Sequence, residues 1–282
     1  MYKKGETGTR GTSESGEDAV TLVHTSGATA RITHHGAHVV SWLDASGQER
    51  LYLSSLARYG PGESIRGGIP VIFPQFGTGP LPKHGFLRTR RWSLVAHLGS
   101  SATFRITDDE RTRAIWPYRF VAQLTVNLAE MLTVSLSITN SGDSPFSFTA
   151  ALHNYFAVTD IQRAAVEGLA SLIYIDKMAA RARCVEESAA LRIDGETDRI
   201  YTSGPRQVGI SSAIGSSSTV IGADGFGDWV VWNPWREGSV SLGDMEPVDY
   251  LTMLCVEAAR ISDPVVLDPG AEWSGTEVIG AT

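Results

Sequence analysis

Cysteine is scarce in this chain of 282 residues, which contains only Cys184 and Cys255. Two thiols without a CxxC spacing predict neither a disulfide-rich scaffold nor a zinc ribbon, so each is interpreted as a small buried hydrophobe. Histidine is also infrequent. Although His34, His35 and His38 lie close together, no matching set of acidic ligands accompanies them. The sequence therefore predicts no metal site.

Long apolar runs are absent as well. No segment approaches the roughly 18 apolar residues that a membrane helix needs. The stretch before Ala19 carries Lys3 and Lys4, but no apolar segment follows them, so it does not have the pattern of a signal peptide. With so few cysteines, we expect a cytoplasmic protein that has no membrane partner.

An excess of basic residues is missing too. Lysine and arginine number 24 against 31 aspartates and glutamates, for a net charge of −7. This balance argues against a general nucleic-acid binder, although a few local arginines would still suffice for a small anionic ligand. No GxGxxG, P-loop, HExxH or GxSxG motif occurs in a supporting context, which argues against nucleotide-binding, zincin and serine-hydrolase chemistry.

The body of the chain is rich in short runs of Val, Ile, Thr and aromatic residues, several of which alternate with polar residues at period two. We predict strands at 19–24, 28–33, 38–44, 101–107, 119–128, 131–140, 146–156, 228–233 and 252–259. Only one short helix is expected, within Asp176–Arg192. Many short strands separated by turns predict an all-β sandwich or barrel.

One domain is expected. Residues 1–18 are polar and rich in Gly, Ser and Thr, and they cannot bury enough apolar surface to offset their ordering entropy, so we predict a disordered tail. The serine-rich piece Ser211–Thr219 is short and lies between apolar runs, which favours a loop over a domain boundary. Residues 19–282 are therefore predicted to form a single domain.

The segment RGGIPVIFPQFG, Arg66–Gly77, begins with an arginine that is followed directly by two glycines, and two prolines come after them. Glycines allow the backbone to pass close to another group, and the planar guanidinium of Arg66 suits sugar hydroxyls or a phosphate. A structural bend that carries a solvated arginine is the alternative interpretation.

The segment LPKHGFLRTRRW, Leu81–Trp92, gathers positive charge in an acidic protein. Lys83, His84 and Arg88 lie within six residues, and two further arginines follow. Such a local cluster is what an anionic ligand requires. A solvated basic turn that leads into a strand is equally compatible with the pattern.

Two apolar runs each contain a side chain that is a candidate for proton transfer. His153 lies in ALHNYFAVTDI, where it is either a hydrogen-bonded core histidine or a general acid held on a rigid strand. Glu257 is the only charge in MLCVEAA. Such a carboxylate is either on the solvent side of its strand or in a partly dry cleft, where its pKa would rise toward that of a general base.

Two further pieces are compatible with a sugar site. ETDRIY, residues 196–201, places Asp198 beside Arg199 at a turn or at the start of a strand. DWVVWNPW, residues 228–235, supplies three tryptophans, whose faces pack equally well against sugar rings or within a core.

Taken in order, these segments resemble the aldose 1-epimerase superfamily, and most of all its hexose-6-phosphate branch. The resemblance extends from about Ala19 to Ile279. It rests on RGGIPVIFPQFG, HGFLRTRRW, ALHNYFAVTDI, the VEGL to YIDK stretch, ETDRIY, VVWNPW, DMEPVDYLTMLCVEAA and VVLDPGAEW. It implies a β-supersandwich, in which two large antiparallel sheets form an open sugar-binding cleft. It also implies an isomerase that interconverts the α and β anomers of a sugar such as glucose 6-phosphate without a cofactor.

The motif match also implies roles for individual residues. His153 would be the catalytic acid and Glu257 the catalytic base. Arg66 and Arg88 would bind the substrate through its phosphate. Opening a sugar ring needs a base at the C1 hydroxyl and an acid at the ring oxygen, and a carboxyl and an imidazole suit these two roles.

The resemblance implies further substrate contacts, and it leaves some of them open. His84 and Asp198 would contact the sugar. Lys83 stands where the family often has glutamine, and it would either strengthen phosphate binding or alter the substrate range. Arg90 and Arg91 leave the phosphate contacts open.

The expected partner is thus a small sugar phosphate, bound by a monomer. Three alternatives remain: a non-catalytic carbohydrate-binding or sugar-sensing protein, a mutarotase for free aldoses, and a metal-dependent isomerase of the cupin type.

Overall fold

The structure is a computed structural model, and it describes residues 18–212 and 218–281. The polar tail predicted over residues 1–18 lies outside this part of the chain, except for Asp18. The carboxylate of Asp18 forms an ion pair with Arg91.

Twenty strands and two short α-helices make up the regular structure of the described residues. The strands are β1 (Ala19–Val23), β2 (Thr29–Thr33), β3 (His38–Leu43), β4 (Val71–Ile72), β5 (Ser93–Leu98), β6 (Ser101–Thr107), β7 (Phe120–Leu128), β8 (Leu132–Asn140), β9 (Phe146–Leu152), β10 (Tyr155–Ala157), β11 (Ala164–Glu167), β12 (Ile173–Asp176), β13 (Ala182–Val185), β14 (Ala190–Arg192), β15 (Thr197–Tyr201), β16 (Gln207–Ser212), β17 (Thr219–Asp224), β18 (Asp228–Asn233), β19 (Met253–Leu267) and β20 (Glu272–Ala281). The helices are α1 (Glu110–Ile115) and α2 (Trp235–Ser241). Two single-turn 3₁₀ helices cover Leu87–Thr89 and Asp249–Leu251.

The strands form three sheets, and every strand pair in them is antiparallel. A small sheet has the order β1-β2-β3. A nine-stranded sheet has the order β14-β11-β16-β17-β20-β8-β7-β6-β5. An eight-stranded sheet has the order β13-β12-β15-β18-β19-β9-β4, with β10 also paired to β19. The predicted all-β supersandwich with two large antiparallel sheets is confirmed.

The main core lies between the two large sheets. Along β7 and β8 almost every second residue is buried, as the period-two pattern predicts. Phe148 of β9 contacts Trp273 of β20 across the sheets, with ring centroids 5.6 Å apart. This core cluster includes residues from Val20 to Ile279. The single domain predicted for residues 19–282 stays a prediction.

Nearly all the predicted strands are present, with two informative differences. The strand predicted over 146–156 is interrupted at His153 and Asn154, which separate β9 from β10. The strand predicted over 252–259 continues as β19 to Leu267. Of the loop predicted over 211–219, the first two residues end β16 and the last begins β17, while residues 213–217 lie outside the described part.

The helix predicted within Asp176–Arg192 is wrong. The segment contains a turn and the strands β13 and β14 instead. Its Ala- and Arg-rich composition favours a helix locally, but pairing of β13 with β12 and of β14 with β11 satisfies the backbone groups and overrides that preference. Ala180 and Arg181 adopt positive φ angles in the turn.

The two cysteines differ in their surroundings. Cys255 is buried, as predicted, whereas Cys184 is partly exposed. Both thiols are free. In the described ranges, no helix has the length and apolar character required to cross a bilayer.

Gly67 and Gly68 bring the chain close to two neighbouring backbones. Both have positive φ angles, +114° and +62°. A Cβ atom at Gly67 would overlap the carbonyl of Tyr52, and one at Gly68 would overlap the carbonyl of Val39. The close approach predicted from the RGGIP segment is therefore present, and it fixes the loop that precedes β4.

We expect Gly68→Ala to lower the free energy of unfolding by about 3 kcal/mol, because it adds a steric overlap to an unfavourable φ angle. Gly47→Ala is the matched control. Gly47 has a φ of +81° with nothing within 4 Å of its Cβ position, so only about 1 kcal/mol of conformational strain is expected. Urea unfolding measures both changes, and equal losses would contradict the steric explanation.

Candidate active site

One face of the eight-stranded sheet brings four side chains together. Strands β15, β18 and β19 lie side by side, with Asp198 opposite Trp232 and Val230 opposite Glu257. Since side chains alternate between the faces of a strand, Val230 and Trp232 point the same way and carry their partners with them. The sheet register therefore places Asp198 and Glu257 on one face.

His153 joins them from the interruption between β9 and β10. The His153 amide donates to the carbonyl of Pro70 (3.0 Å), and the Tyr155 amide donates to the carbonyl of Gly68 (2.9 Å). The RGGIP loop thus holds this segment from the other side. The His153 and Tyr155 rings stack in parallel, with centroids 4.7 Å apart.

All seven site residues predicted from the sequence line one cavity of about 130 Å³. They are Arg66, Lys83, His84, Arg88, His153, Asp198 and Glu257. A wider cavity of about 960 Å³ lies beside it and shares Ser64, Lys83 and Arg88 with it. Because the imidazole of His153 and the carboxyl of Glu257 lie in the smaller cavity, we identify that cavity as the candidate active site.

The imidazole of His153 and the carboxyl of Glu257 are in contact. His153 Nδ1 lies 3.4 Å from Glu257 Oε1, and both side chains are buried. His153 Nδ1 and Glu257 Oε2 have no well-aligned hydrogen-bond partner among the described residues. Buried polar atoms normally find partners, so the pair has unfulfilled hydrogen-bonding capacity.

The surroundings shift the proton affinities of the two groups in opposite directions. Burial, reinforced by the nearby Asp198 carboxylate, raises the pKa of Glu257 well above its ordinary value. Burial, reinforced by His84 and by the guanidinium groups of Arg88 and Arg66, lowers the pKa of His153. Both shifts favour the uncharged forms, a protonated Glu257 carboxyl beside a neutral His153 imidazole.

His84 is held in an unusual backbone conformation, with a φ of +64°. Burial and the charges of Arg88 and Lys83 lower its pKa to about 2, so its imidazole is neutral. Nδ1 of His84 accepts a hydrogen bond from the Gly77 amide (3.4 Å), which leaves the Nε2 proton as the donor of this ring.

Two of the cations in the site have carboxylate partners. Arg66 donates through Nε to Asp244 (3.1 Å) and through a terminal nitrogen to the Tyr155 hydroxyl (2.9 Å). Lys177 forms an ion pair with Asp198. These pairs orient the side chains and neutralise their charge.

The other two cations differ. Within residues 18–212 and 218–281, no carboxylate lies within 4.0 Å of Lys83 or Arg88 in an ion pair. Arg88 donates to the Lys83 carbonyl (2.9 Å), while its buried Nε has no hydrogen-bond partner in that part of the chain. Burial, followed by the charge of Lys177, lowers the pKa of Lys83, although this residue remains exposed to solvent. Burial lowers the pKa of Arg88, with Tyr155 opposing the shift and Arg66 adding to it. A bound anion would relieve this unfavourable accumulation of positive charge.

Arg90 and Arg91 lie elsewhere. They line the wider cavity, where Arg90 approaches Asp109 at 3.9 Å and Arg91 is paired with Asp18. The basic cluster of the sequence is therefore divided, and only its first part reaches the active-site cavity.

Sequence reasoning missed several residues of the cavity. Tyr155 could have been found, because it lies two positions from His153 in an extended segment. Of the three tryptophans, only Trp232 lines the cavity. Lys177 and Asp244 lie within the YIDK and DMEPVDYLTMLCVEAA motifs, but neither was assigned to the site, because they lie in turns that reach it only through the tertiary fold.

The three neighbouring histidines point to different backbone groups. His34 contacts the Trp92 carbonyl, His35 the Glu63 carbonyl and His38 the Gly67 carbonyl. In the part of the chain that the structure describes, no three or more His, Cys, Asp or Glu side chains are grouped as metal ligands.

A second buried carboxyl lies behind the pair. Glu277 of β20 accepts a hydrogen bond from the side chain of Asn154. Burial raises the pKa of Glu277 to about 8, with the Asn154 hydrogen bond opposing the shift. Glu277 is therefore mainly a neutral acid at pH 7.

Comparisons with known proteins identify the family of the chain. The model of the family described as aldose 1-epimerase matches residues 18–280. A protein from Cenchrus ciliaris provisionally named glucose-6-phosphate 1-epimerase is 36% identical over 281 residues, which are 95% of this chain and 85% of that protein. An Escherichia coli K12 protein with the same provisional name is 34% identical over 235 residues, which are 81% of this chain and 78% of that protein.

The fold has a close match among solved structures. The crystal structure of a protein from Salmonella typhimurium, provisionally named a mutarotase, aligns with a TM-score of 0.86 at 28% identity. The alignment covers 94% of this chain and 91% of that one. Both large sheets of this chain therefore have counterparts in a known structure.

The raised pKa of Glu277 predicts that its contribution to stability falls as the pH rises. The unfolded carboxyl titrates near its ordinary value of 4.5 and the folded one near 8, so the folded state binds more protons between these values. Across this window we expect the wild type to lose on the order of 4 kcal/mol relative to Glu277→Gln. Urea unfolding of both proteins at pH 5, 6.5 and 8 measures this difference, and a pH-independent difference would contradict the assignment.

Proposed function

The chain belongs to the aldose 1-epimerase family, and from this premise we propose that it is a hexose-6-phosphate mutarotase that interconverts the α and β anomers of glucose 6-phosphate. The observation that carries the proposal is the 3.4 Å contact between His153 and Glu257 in a cavity that also holds two cations, Lys83 and Arg88, without a carboxylate partner among the described residues. The family supports an epimerase. The acid/base contact supports proton transfer, and the two cations support a phosphorylated substrate.

Anomers interconvert when the ring opens, the C1 group rotates and the ring closes on its other face. Opening removes a proton from the C1 hydroxyl and adds one to the ring oxygen. Because both oxygens are bonded to C1, the base and the acid have to lie close together. In our proposal Glu257 takes the hydroxyl proton and His153 supplies the proton to the ring oxygen. Closure reverses the two roles.

The proton count of the pair suits this exchange. One proton shared between Glu257 and His153 leaves one group able to accept and the other able to donate. Because the pKa of Glu257 is raised and that of His153 is lowered, this proton rests on Glu257, and in our proposal it passes to His153 when the sugar binds. No net charge has to enter or leave the buried cavity during a cycle.

The phosphate is assigned to Lys83 and Arg88. These cations lie where the small cavity meets the wider one, so an anionic group there would leave C1 near His153 and Glu257. Binding energy gained at the far end of the sugar positions the reacting end. Arg66 is also within the cavity, but Asp244 already engages its Nε.

The sugar ring is assigned to the remaining surfaces. Asp198, His84 and Lys177 offer hydrogen-bonding groups for hydroxyls. Tyr155 and Trp232 offer aromatic surface for the apolar face of the ring, with their own rings packed edge to face at 6.0 Å. All of this chemistry uses side chains alone.

The alternatives predict different behaviour. A carbohydrate-binding or sugar-sensing protein would bind hexose phosphates without accelerating anomer exchange, and it would have no need of a contacting acid/base pair. A mutarotase for free aldoses would act on glucose or galactose as well as on the phosphate. A cupin-type isomerase would lose activity on metal removal. The monomeric state and cytoplasmic location stay predictions.

We expect Glu257→Gln and His153→Ala each to lower kcat for anomer exchange by about 10²- to 10⁴-fold, because each removes one proton-transfer group. Magnetisation-exchange NMR on glucose 6-phosphate anomers measures the rate, and thermal unfolding confirms that each variant is folded. Glu130→Gln, on an exposed turn, is the control. Wild-type exchange in either folded variant would refute the role of that residue.

We expect Arg88→Met to raise KM for glucose 6-phosphate by about 10- to 100-fold, because a charge-assisted hydrogen bond to the phosphate is lost. Lys83→Met should act in the same direction. Activity on free glucose should change little in both variants. Arg91→Met, in the same sequence cluster but paired with Asp18 outside the cavity, is the matched control. A proportional loss on both sugars would exclude a phosphate-specific role for Arg88.

A further inference from the structure

The strand pairing is interrupted where the acid and the base lie. Leu152 pairs with Ala258 and Tyr155 pairs with Cys255. Between these positions, His153 and Asn154 face Val256 and Glu257 without a registered pair, in a region that the structure describes completely. The amides of His153 and Tyr155 are directed instead at the RGGIP loop. The backbone ladder alone therefore does not fix the two strands relative to each other at this point.

The side chain of Asn154 bridges this interruption. Its Nδ2 donates to the carbonyl of Val256 at 3.0 Å. Asn154 directly follows His153, and Val256 directly precedes Glu257. One amide group thus connects the backbone beside the acid to the backbone beside the base.

The orientation of this amide is set from the opposite sheet. The same Nδ2 also donates to Oε1 of Glu277, which lies on β20 of the nine-stranded sheet. Both side chains are fully buried. Both hydrogens of the amide are used, so the group has little freedom to rotate.

Packing alone does not explain a polar pair at this position. Asn154 Oδ1 and Glu277 Oε2 have no hydrogen-bond partner in the described part of the chain, and each such buried group carries a desolvation cost. Two apolar side chains of similar size would fill the space between the sheets without that cost. The pair therefore provides something other than packing stability.

We propose that Asn154 and Glu277 are positioning residues, which hold the strand segment of Glu257 in register with His153 across the interruption of the sheet. Neither side chain lines the cavity, so neither touches the sugar. Loss of the bridge lets Glu257 shift relative to His153, while the groups that bind the substrate keep their places. This inference rests on the proposed mutarotase activity.

The decisive variant is Asn154→Leu, which keeps the branching at Cγ but removes both donated hydrogen bonds. We expect kcat for anomer exchange of glucose 6-phosphate to fall at least about tenfold, because small misplacements of reacting groups are costly, while KM stays within about twofold. Asn140→Ala is the matched control. Asn140 is another fully buried asparagine, and its Nδ2 ties two carbonyls, of Ser144 and Leu267, at the end of β8. Asn140→Ala should lower stability but leave kcat unchanged.

Glu277 is tested by a conservative pair of variants. Glu277→Gln keeps an oxygen that accepts from Asn154, whereas Glu277→Leu removes it, so the glutamine variant should retain several times more kcat than the leucine variant. If Asn154→Leu does not fold, these two variants and Asn154→Ala test the positioning role instead.

The outcomes are distinguishable. An inactive wild-type protein refutes the proposed function itself. An active wild type with unchanged kcat in the folded Asn154 variants, or with a kcat loss no larger than that of Asn140→Ala at equal stability, overturns the positioning role. Equal kcat in Glu277→Gln and Glu277→Leu overturns the part assigned to Glu277.

Discussion

The contact between a buried carboxyl and a buried imidazole is the constraint on which the rest of this structure depends. Taking Glu257 and His153 out of water is costly, and the cost is bearable only because one proton is shared between them. The eight-stranded sheet brings the two groups together by pairing β9 and β10 with β19. The same burial raises the pKa of Glu257 and lowers that of His153, so both groups favour their uncharged forms.

The charges around this pair are distributed unevenly. Asp244 and Asp198 engage Arg66 and Lys177, so these two cations are already compensated. Lys83 and Arg88 have no such carboxylate within the described residues, although the net charge of the protein is −7. The protein is therefore acidic as a whole, while its cavity contains positive charge that favours an anion. The net negative charge favours solubility, whereas the positive charge of Lys83 and Arg88 determines which ligands the cavity favours.

The site is built where regular structure is interrupted. His153 and Asn154 separate two strands, and Gly67 and Gly68 pass so close to neighbouring backbones that side chains are excluded. His84 has a positive φ, which orients its ring toward the cavity. A rigid pair of sheets supports these irregular segments on both sides. Precise placement of loop residues then follows from the strands that flank them.

Much of this could be predicted from the sequence, because strand alternation is a local property that each segment carries by itself. The β-strands were identified in this way, whereas His153, Glu257, Arg66 and Arg88 were assigned to a site by the family resemblance of their motifs. The segment Asp176–Arg192 failed the same reasoning, since its local helix preference was overridden by strand pairing with distant residues.

The partners of the motif residues were decided only by the tertiary structure. Lys177 and Asp244 lie in motifs of the family, but nothing local to them indicates a contact with the site. Glu277 has the pattern of any residue in an interior strand, and its role is visible only when the two sheets pack together. The sequence by itself determined an all-β chain with a candidate acid, base and set of cations. Which cations are neutralised, and what holds the acid against the base, depend on contacts between segments far apart in the chain. Such contacts form only when both sheets have folded, because no short-range pattern encodes them.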